Sequence, residues 1–412
     1  MERVQLEIEF VTPCFLGGVH QQAEWRAASV RGQLRWWFRA VAGGACRGDL
    51  ERVKRLETEV FGSTDASSPL QVRALGAPAL LPIQSQPGWG RPLSDRALAE
   101  VWGLRPGTPE WNEAMGRLAM QWPVNPLLYL GYGCLKPVGG GHWQLERSCI
   151  APGATATLQL AWRRSSGVTA LALWNDALWC WFNLGGIGTR SRRGFGALRE
   201  QAPRKGGGAS PQTRAELLAQ VQGLLDRVAK RPASGKLPEW SHFSDQSRIF
   251  VARQASRKWD EALVLAGGWL MAYRRRYGYP NDGRTLGGTP LADRDYVWAG
   301  FAPPRRIPPR GVPDRAGFGM PLPFGKPDDQ IVAWGEGGRR ASPLLLHVAH
   351  VEEGFFPVLT HLPARLAPDG EDVRFKGLPA PAMPPTAEQK SIVAHFLDDL
   401  ASPQKNLVER VL

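Results

Sequence analysis

The sequence predicts an α+β protein of two domains, the first with the βαββαβ order of a ferredoxin-like fold. Three observations predict this. The chain has 412 residues, more than one domain usually holds. Its N-terminal half alternates strand and helix periodicities in that order. Residues 206–211 (GGGASP) read as a linker. The expected domains are therefore 1–205 and 206–412, with an insertion at about 51–125 in the first.

Residues 4–11 (VQLEIEFV) alternate apolar and polar side chains as a half-buried strand does, and Thr12-Pro13 ends it. Ser29 is the expected N-cap of a helix over 30–42. At about 100° per residue, Val30, Leu34, Trp37, Phe38 and Val41 share one arc, and Arg31, Arg35 and Arg39 form a separate stripe expected to face outward. Gly43-Gly44 supplies the expected stop. Within the insertion, 51–60 reads as helix, 70–74 as strand, and 94–120 as helical pieces broken by prolines.

Strands are expected at 127–132 and 154–161. A helix over 168–184 then places Leu171, Trp174, Leu178, Trp181 and Phe182 on one face, and a strand over 195–199 closes the unit. Past the linker the pattern gives helices at 214–230 and 259–277, then a stretch over 278–343 rich in Gly, Pro and Arg. Strands at 344–351 and 355–362 and a helix at 387–400 complete a second α+β domain.

The apolar fraction of 43% excludes a wholly disordered chain, and the net charge of +13 favours a polyanionic partner: RNA, DNA or an anionic membrane. Codon bias can account for 41 arginines against ten lysines, but not for where the arginines cluster. The five cysteines have no paired spacing, so neither a disulfide framework nor a zinc finger is expected, and no cofactor or metal. No apolar leader or membrane-length run is present, and a cytoplasmic protein with no membrane partner is expected.

Residues 185–196 (GGIGTRSRRGFG) carry the chemistry. Five glycines allow positive φ and close approach of backbone N–H groups to an anion. Arg190, Arg192 and Arg193 add guanidinium forks that match phosphate oxygens. Phosphate contacts of this kind position a nucleic acid without reading its sequence. The plainer reading is a tight turn with solvated arginines. A mononucleotide P-loop is disfavoured, because no Gly-Lys-Ser/Thr follows. Arg26 and Arg31 stand near a helix N-terminus, where the dipole also favours an anion, while Arg35 and Arg39 can equally be a wet face.

These residues resemble a known family. The run Thr12-Pro13-Cys14-Phe15-Leu16-Gly17-Gly18, then Ala23-Glu24-Trp25-Arg26, then residues 29–39 (SVRGQLRWWFR), is similar to the N-terminal signature of the RAMP superfamily of CRISPR proteins. More narrowly it resembles the first-numbered subunits of type III-B Cmr effector complexes. The glycine loop and two C-terminal blocks, Gly317-Phe318-Gly319-Met320-Pro321 and Arg339-Arg340-Ala341-Ser342-Pro343-Leu344, resemble that family too. The resemblance implies two tandem ferredoxin-like (RRM-like) domains in a non-catalytic subunit. Such a subunit would hold the 3′ part of a guide RNA, help engage target RNA in antiviral defence, and contact other Cmr subunits. It places backbone contacts on Gly188, Arg190, Arg192, Arg193 and Gly194, then on Arg26, Arg31 and Arg35. It leaves open whether Arg339, Arg340 and Ser342 touch RNA or only pack.

The alternative that the resemblance brings is a metal-independent repeat-RNA endoribonuclease using His20 as acid or base. His347 and His350, three apart in an expected strand, fall on opposite faces. Asp328-Asp329 and Asp398-Asp399 lack the partners of a two-metal site. Of the 17 tryptophans, Trp37, Trp174, Trp181 and Trp259 read as core, whereas Trp25 and Trp36 are candidates for a base or a partner subunit.

Overall fold

The computed structural model describes residues 2–18, 22–109, 111–112, 125–139, 142–162, 167–201, 210–229, 237–273, 314–320, 322–323, 330–332, 339–367, 370–375, 382, 384 and 387–411. The first half contains β1 (Glu2–Phe10), α1 (Ala27–Ala45), α2 (Leu50–Phe61), β2 (Leu70–Leu75), β3 (Thr155–Trp162), α3 (Val168–Asn183) and β4 (Leu198–Glu200). Its four strands form one antiparallel sheet in the order β2-β3-β1-β4. In β1 the residues Leu6, Ile8 and Phe10 are buried under α1 and α3, and β3 alternates in the same way through Leu158 and Leu160. The period-2 pattern therefore selects the face that the helices cover.

The second half follows the same plan. It contains α4 (Arg214–Val228), β5 (Arg248–Ala252), α5 (Trp259–Ala272), β6 (Leu344–Val351), β7 (Gly354–His361), α6 (Ala387–Leu400) and β8 (Val408–Val411). The order β6-β7-β5-β8 places the second and third strands beside the first, and the fourth at the other edge, as in the first sheet. The architecture is α+β with antiparallel sheets, as the periodicities predict. Strands β5 (RIFVA) and β8 (VERV) are too short for a period to mark them in the sequence.

Several elements differ from expectation. Residues 51–125 are not one insertion. β2 pairs with β3 inside the main sheet, and α2 packs on α1 and α3. The excursion begins after β2. Its short helices Asp95–Val101 and Pro126–Leu130 pack on α5 of the second half. There Trp269 Nε1 donates to Val101 O at 3.0 Å, and Gly90 N donates to the Asp260 carboxylate at 2.8 Å. The expected strand at 127–132 is that second short helix. Asn125 caps it by accepting from Leu127 N and Leu128 N, with Pro126 just inside.

Gly43 and Gly44 do not stop α1, which runs to Ala45 with Arg26, not Ser29, at its N-cap. They are small because Trp240, His242 and Phe243 press against the helix there, leaving no room for a Cβ. The linker at 206–211 falls largely outside the described residues, as does most of 278–343.

The arginine stripe of α1 is tied to α2 and the start of β2, with Arg39 still exposed at the far end. Arg31 donates to Leu70 O at 3.0 Å, to Phe61 O and to Ser68 Oγ at 2.8 Å, tying the end of α2 to the start of β2. Arg35 and Arg39 both pair with Glu57, Arg39 at 2.6 Å. Burial alone would raise the Glu57 carboxyl. The hydrogen bonds and charges of Arg39 and Arg35 offset this and hold it below the usual carboxylate range. Glu57→Ala should therefore cost about 1–2 kcal/mol in urea denaturation at neutral pH, since Glu57 is buried but both arginines are half exposed. That loss should shrink below about pH 4, because a carboxylate with a lowered pKa contributes its stability above its unfolded value and loses it on acidification.

Candidate nucleic-acid interface

Residues 185–196 follow α3 and run between the two halves. On one side they are clasped by residues 12–15. Thr12, fully buried, donates its hydroxyl to Gly194 O at 2.8 Å and accepts from Ala197 N at 2.9 Å. Gly196 N donates to Pro13 O and Thr189 N to Phe15 O, both at 2.9 Å. The loop also closes on itself through Ile187 N to Gly196 O and Arg193 N to Arg190 O. Its amides are thus largely committed within the fold, so it meets a ligand mainly through side chains.

The glycines answer to this close packing. Gly188 has φ +91°, and a Cβ there would stand 2.7 Å from Phe15 O. Gly194 has φ +84° and lies against Leu263 and Leu346 of the second half. Both requirements exclude any residue with a side chain.

On its other side the loop is joined to the second half. Leu346 N donates to Arg192 O at 3.2 Å, and Arg193 bridges to Leu346. His347 Nδ1 donates to Gly185 O at 2.6 Å from a fully buried ring. On the opposite face of β6, His350 lies 3.5 Å from Glu9 and 3.3 Å from Arg199. The two histidines therefore both serve the seam between halves, from opposite faces.

The C-terminal blocks converge on the same place. Met320 and Arg340 exchange backbone hydrogen bonds at 2.8 and 3.2 Å, which sets the glycine turn at 317–319 beside 339–342. Arg192 Nη1 donates to Ser342 O at 2.7 Å, and its guanidinium lies 4.8 Å over the Trp36 ring. Burial, then the charges of Arg340 and Arg193, push the Arg192 guanidinium down to about 10, so it stays charged at neutral pH. A groove of about 350 Å³ opens here, lined by Gln33, Trp36, Gly185, Gly186, Ser191 and Arg192. Arg190, Arg192 and Arg340 meet no carboxylate among the described residues. Arg192 and Arg340, like charges held close, form a site for an anion.

The structure therefore brings together Gly188, Arg190, Arg192, Arg193 and Gly194 with Arg340 and Ser342. Arg26 is exposed, with one hydrogen bond at 3.5 Å to Ser29 Oγ. The guanidinium groups of Arg31 and Arg35 are engaged by α2. Trp25 is buried against Phe10, with ring centroids 5.4 Å apart, whereas Trp36 does border the groove. His20 lies outside the described residues. All five cysteines are buried, and none is in a disulfide. Among the described residues no cluster of three metal-ligating groups occurs, and no helix is long and apolar enough to cross a membrane.

Residues 7–199 match the RAMP superfamily. The chain is similar to CRISPR system Cmr subunits of Pyrococcus furiosus. It is 27% identical to Cmr1-2 over 212 residues, covering 48% of this chain and 95% of the relative. It is 26% identical to Cmr1-1 over 199 residues, covering 47% of this chain and 46% of that one. Its fold resembles the crystal structure of Cmr1 from Pyrococcus furiosus in the apo form. The TM-score is 0.51 at 18% identity, over 100% of this chain and 99% of that one.

His347 gives the seam a measurable signature. Burial pushes its imidazole down to about 4, and burial with the charge of Arg248 pushes His361 down to about 3. Both rings are neutral in the fold but take up protons below about pH 6.5 once unfolded. Their contribution is complete above about pH 6.5 and falls as pH drops toward 4. His347→Gln keeps a donor for Gly185 O but does not titrate. It should flatten the pH dependence of the urea midpoint between pH 6.5 and 4, by up to about 1.4 kcal/mol per pH unit. An unchanged slope would remove His347 from this role.

Proposed function

We propose that this chain is a non-catalytic, RNA-binding subunit of a type III-B CRISPR effector. In this reading it holds the 3′ part of the guide RNA and helps engage target RNA in antiviral defence, beside other Cmr subunits. The observation that carries the reading is Arg192 held close to Arg340 at one seam, with no carboxylate against either among the described residues and Arg190 on the same loop. Three sequence blocks far apart in the chain build that seam. A phosphate backbone supplies the repeating anions that such a cluster lacks. The similarity to Cmr subunits supplies the biological setting.

We further read the two halves as tandem ferredoxin-like domains, 1–205 and 206–412, which the repeated strand order supports. Within the site, Arg190, Arg192 and Arg193 face the phosphates, and Gly188 and Gly194 give the loop the shape that presents them. Arg26 is a peripheral contact. Arg31 and Arg35 act indirectly, by holding α2 and β2 against α1.

Arg190 is the cleanest probe, because its side chain makes no hydrogen bond or ion pair among the described residues. Arg190→Ala should weaken binding of single-stranded RNAs of unrelated sequence to a similar degree. It should also lower the salt slope of log K by at most about one unit, with no change in thermal stability. Arg192→Ala should lower RNA affinity and stability together, through the lost Ser342 bond and Trp36 contact. Wild-type salt dependence in Arg190→Ala would remove the loop from the RNA path.

A further inference from the structure

Beyond the arginine seam, the loop has an aromatic neighbour that the sequence reading did not single out. The short helix Pro126–Leu130 ends at Gly131, and the chain turns back with Cys134 N donating to Gly131 O at 2.8 Å. Tyr132 projects from this turn. It is 72% exposed, the most exposed of the large hydrophobic residues described. Its ring meets no other ring or cation among the described residues, and its hydroxyl makes no hydrogen bond there. A lone exposed aromatic is ordinary on a protein surface. This one has two arginines near its turn.

One neighbour is Arg190. Gly133 has φ +81°, and a Cβ there would stand 3.7 Å from Arg190 Nη2, so the guanidinium lies against the bare backbone next to Tyr132. Arg190 itself sits at φ +65°. A non-glycine residue adopts that conformation at a cost of about 1 kcal/mol or more, which a purely solvated arginine would give no reason to bear. The second neighbour is Arg147, exposed and without an ion pair among the described residues. Glu146 N donates to Cys134 O at 2.8 Å, which brings Arg147 close to the turn. The buried Cys134 thiol beneath feels both cations, with Glu146 the one opposing charge. Next along the chain, Ser148 Oγ accepts from Ala23 N at 3.2 Å, joining this patch to the N-terminal loop that clasps residues 185–196.

We propose that Tyr132 is a stacking platform for one unpaired RNA base, with Arg190 and Arg147 receiving the phosphates on either side of it. This rests on the RNA-binding reading above and deepens it, since it specifies single-stranded RNA and one nucleotide position. An arginine cluster alone accepts duplex or single strand, whereas a stacking aromatic needs a base splayed out of its helix. The nearby cations favour a nucleotide over an apolar protein side chain as the occupant.

The test measures fluorescence anisotropy of the full chain with a labelled single-stranded RNA, the same strand made abasic, and an RNA duplex, over a series of salt concentrations. Tyr132→Ala should weaken binding of the intact strand by between about five-fold and a hundred-fold. The salt slope should stay unchanged, because no phosphate contact is lost. Tyr132→Phe should bind as the wild type does. The abasic strand should bind the wild type and Tyr132→Ala alike, and the duplex should be indifferent to the substitution. Arg147→Ala should instead lower the salt slope by up to about one unit. Because Tyr132 is exposed, the alanine variant should melt as the wild type does.

If the wild type binds RNA and Tyr132→Ala binds it equally well, the platform is overturned while the arginine seam stands. Unchanged RNA binding with failed assembly into the effector would assign Tyr132 to a protein neighbour, and also overturn the platform. If the wild-type chain binds none of the RNAs, both readings fall together.

Discussion

The interaction on which the rest depends is the clasp between residues 12–15 and 187–197. A single buried hydroxyl, Thr12 Oγ1, joins two points of the loop, and backbone bonds from Pro13 and Phe15 complete the grip. With one side held by the first sheet, the other side can reach β6 and the Arg339–Ser342 segment. A buried polar group left without its partner costs about 1–3 kcal/mol, so this arrangement tolerates few alternatives. Glycine at 188 and 194 follows from the clasp, because the chain passes too close to Phe15, Leu263 and Leu346 for any side chain.

The arginines then divide by what they meet. Those of α1 face Glu57 and the carbonyls at the end of α2, where they replace water for buried acceptors and hold α2 and β2 against α1. In the loop, Arg192 meets a carbonyl, the Trp36 ring and the charges of Arg340 and Arg193. An arginine that satisfies a carbonyl keeps its whole positive charge, whereas one paired with a carboxylate has its field cancelled nearby. The net charge of +13 is thus locally expressed at the seam and muted along α1. Charge count alone could not distinguish the two groups.

The halves are bound by more than the loop. The excursion after β2 crosses to α5, where Gly267 and Gly268 let the short helices approach closely and Trp89 packs edge-on against Trp259 at 4.9 Å. His347 and His350 reach from the two faces of one strand to Gly185 and Glu9. A seam buttressed on these sides holds its arginines in fixed relation, which a rigid polyanion path requires.

By itself the sequence determined the elements with strong periodicity: β1, α1, α3, α4, β6, β7 and α6 lie within a few residues of where their patterns place them. It also determined the glycine-arginine loop as unusual, while the two C-terminal blocks stood out only through the family resemblance. These are local signals, carried by spacing within a dozen residues. The tertiary structure alone decided what the signals are for. The Gly43-Gly44 pair looked like a helix stop because glycine ends helices in isolation, but here it admits a neighbouring aromatic. The Arg31–Arg39 stripe looked solvated because α2 could not be placed beside it. Residues 70–75 joined the sheet rather than an insertion because pairing with β3 depends on a partner some 80 residues away. The loop's own meaning shifted in the same way. Its glycines serve packing and its arginines serve charge, since both sides of the loop are built from chain segments that no local pattern could bring together.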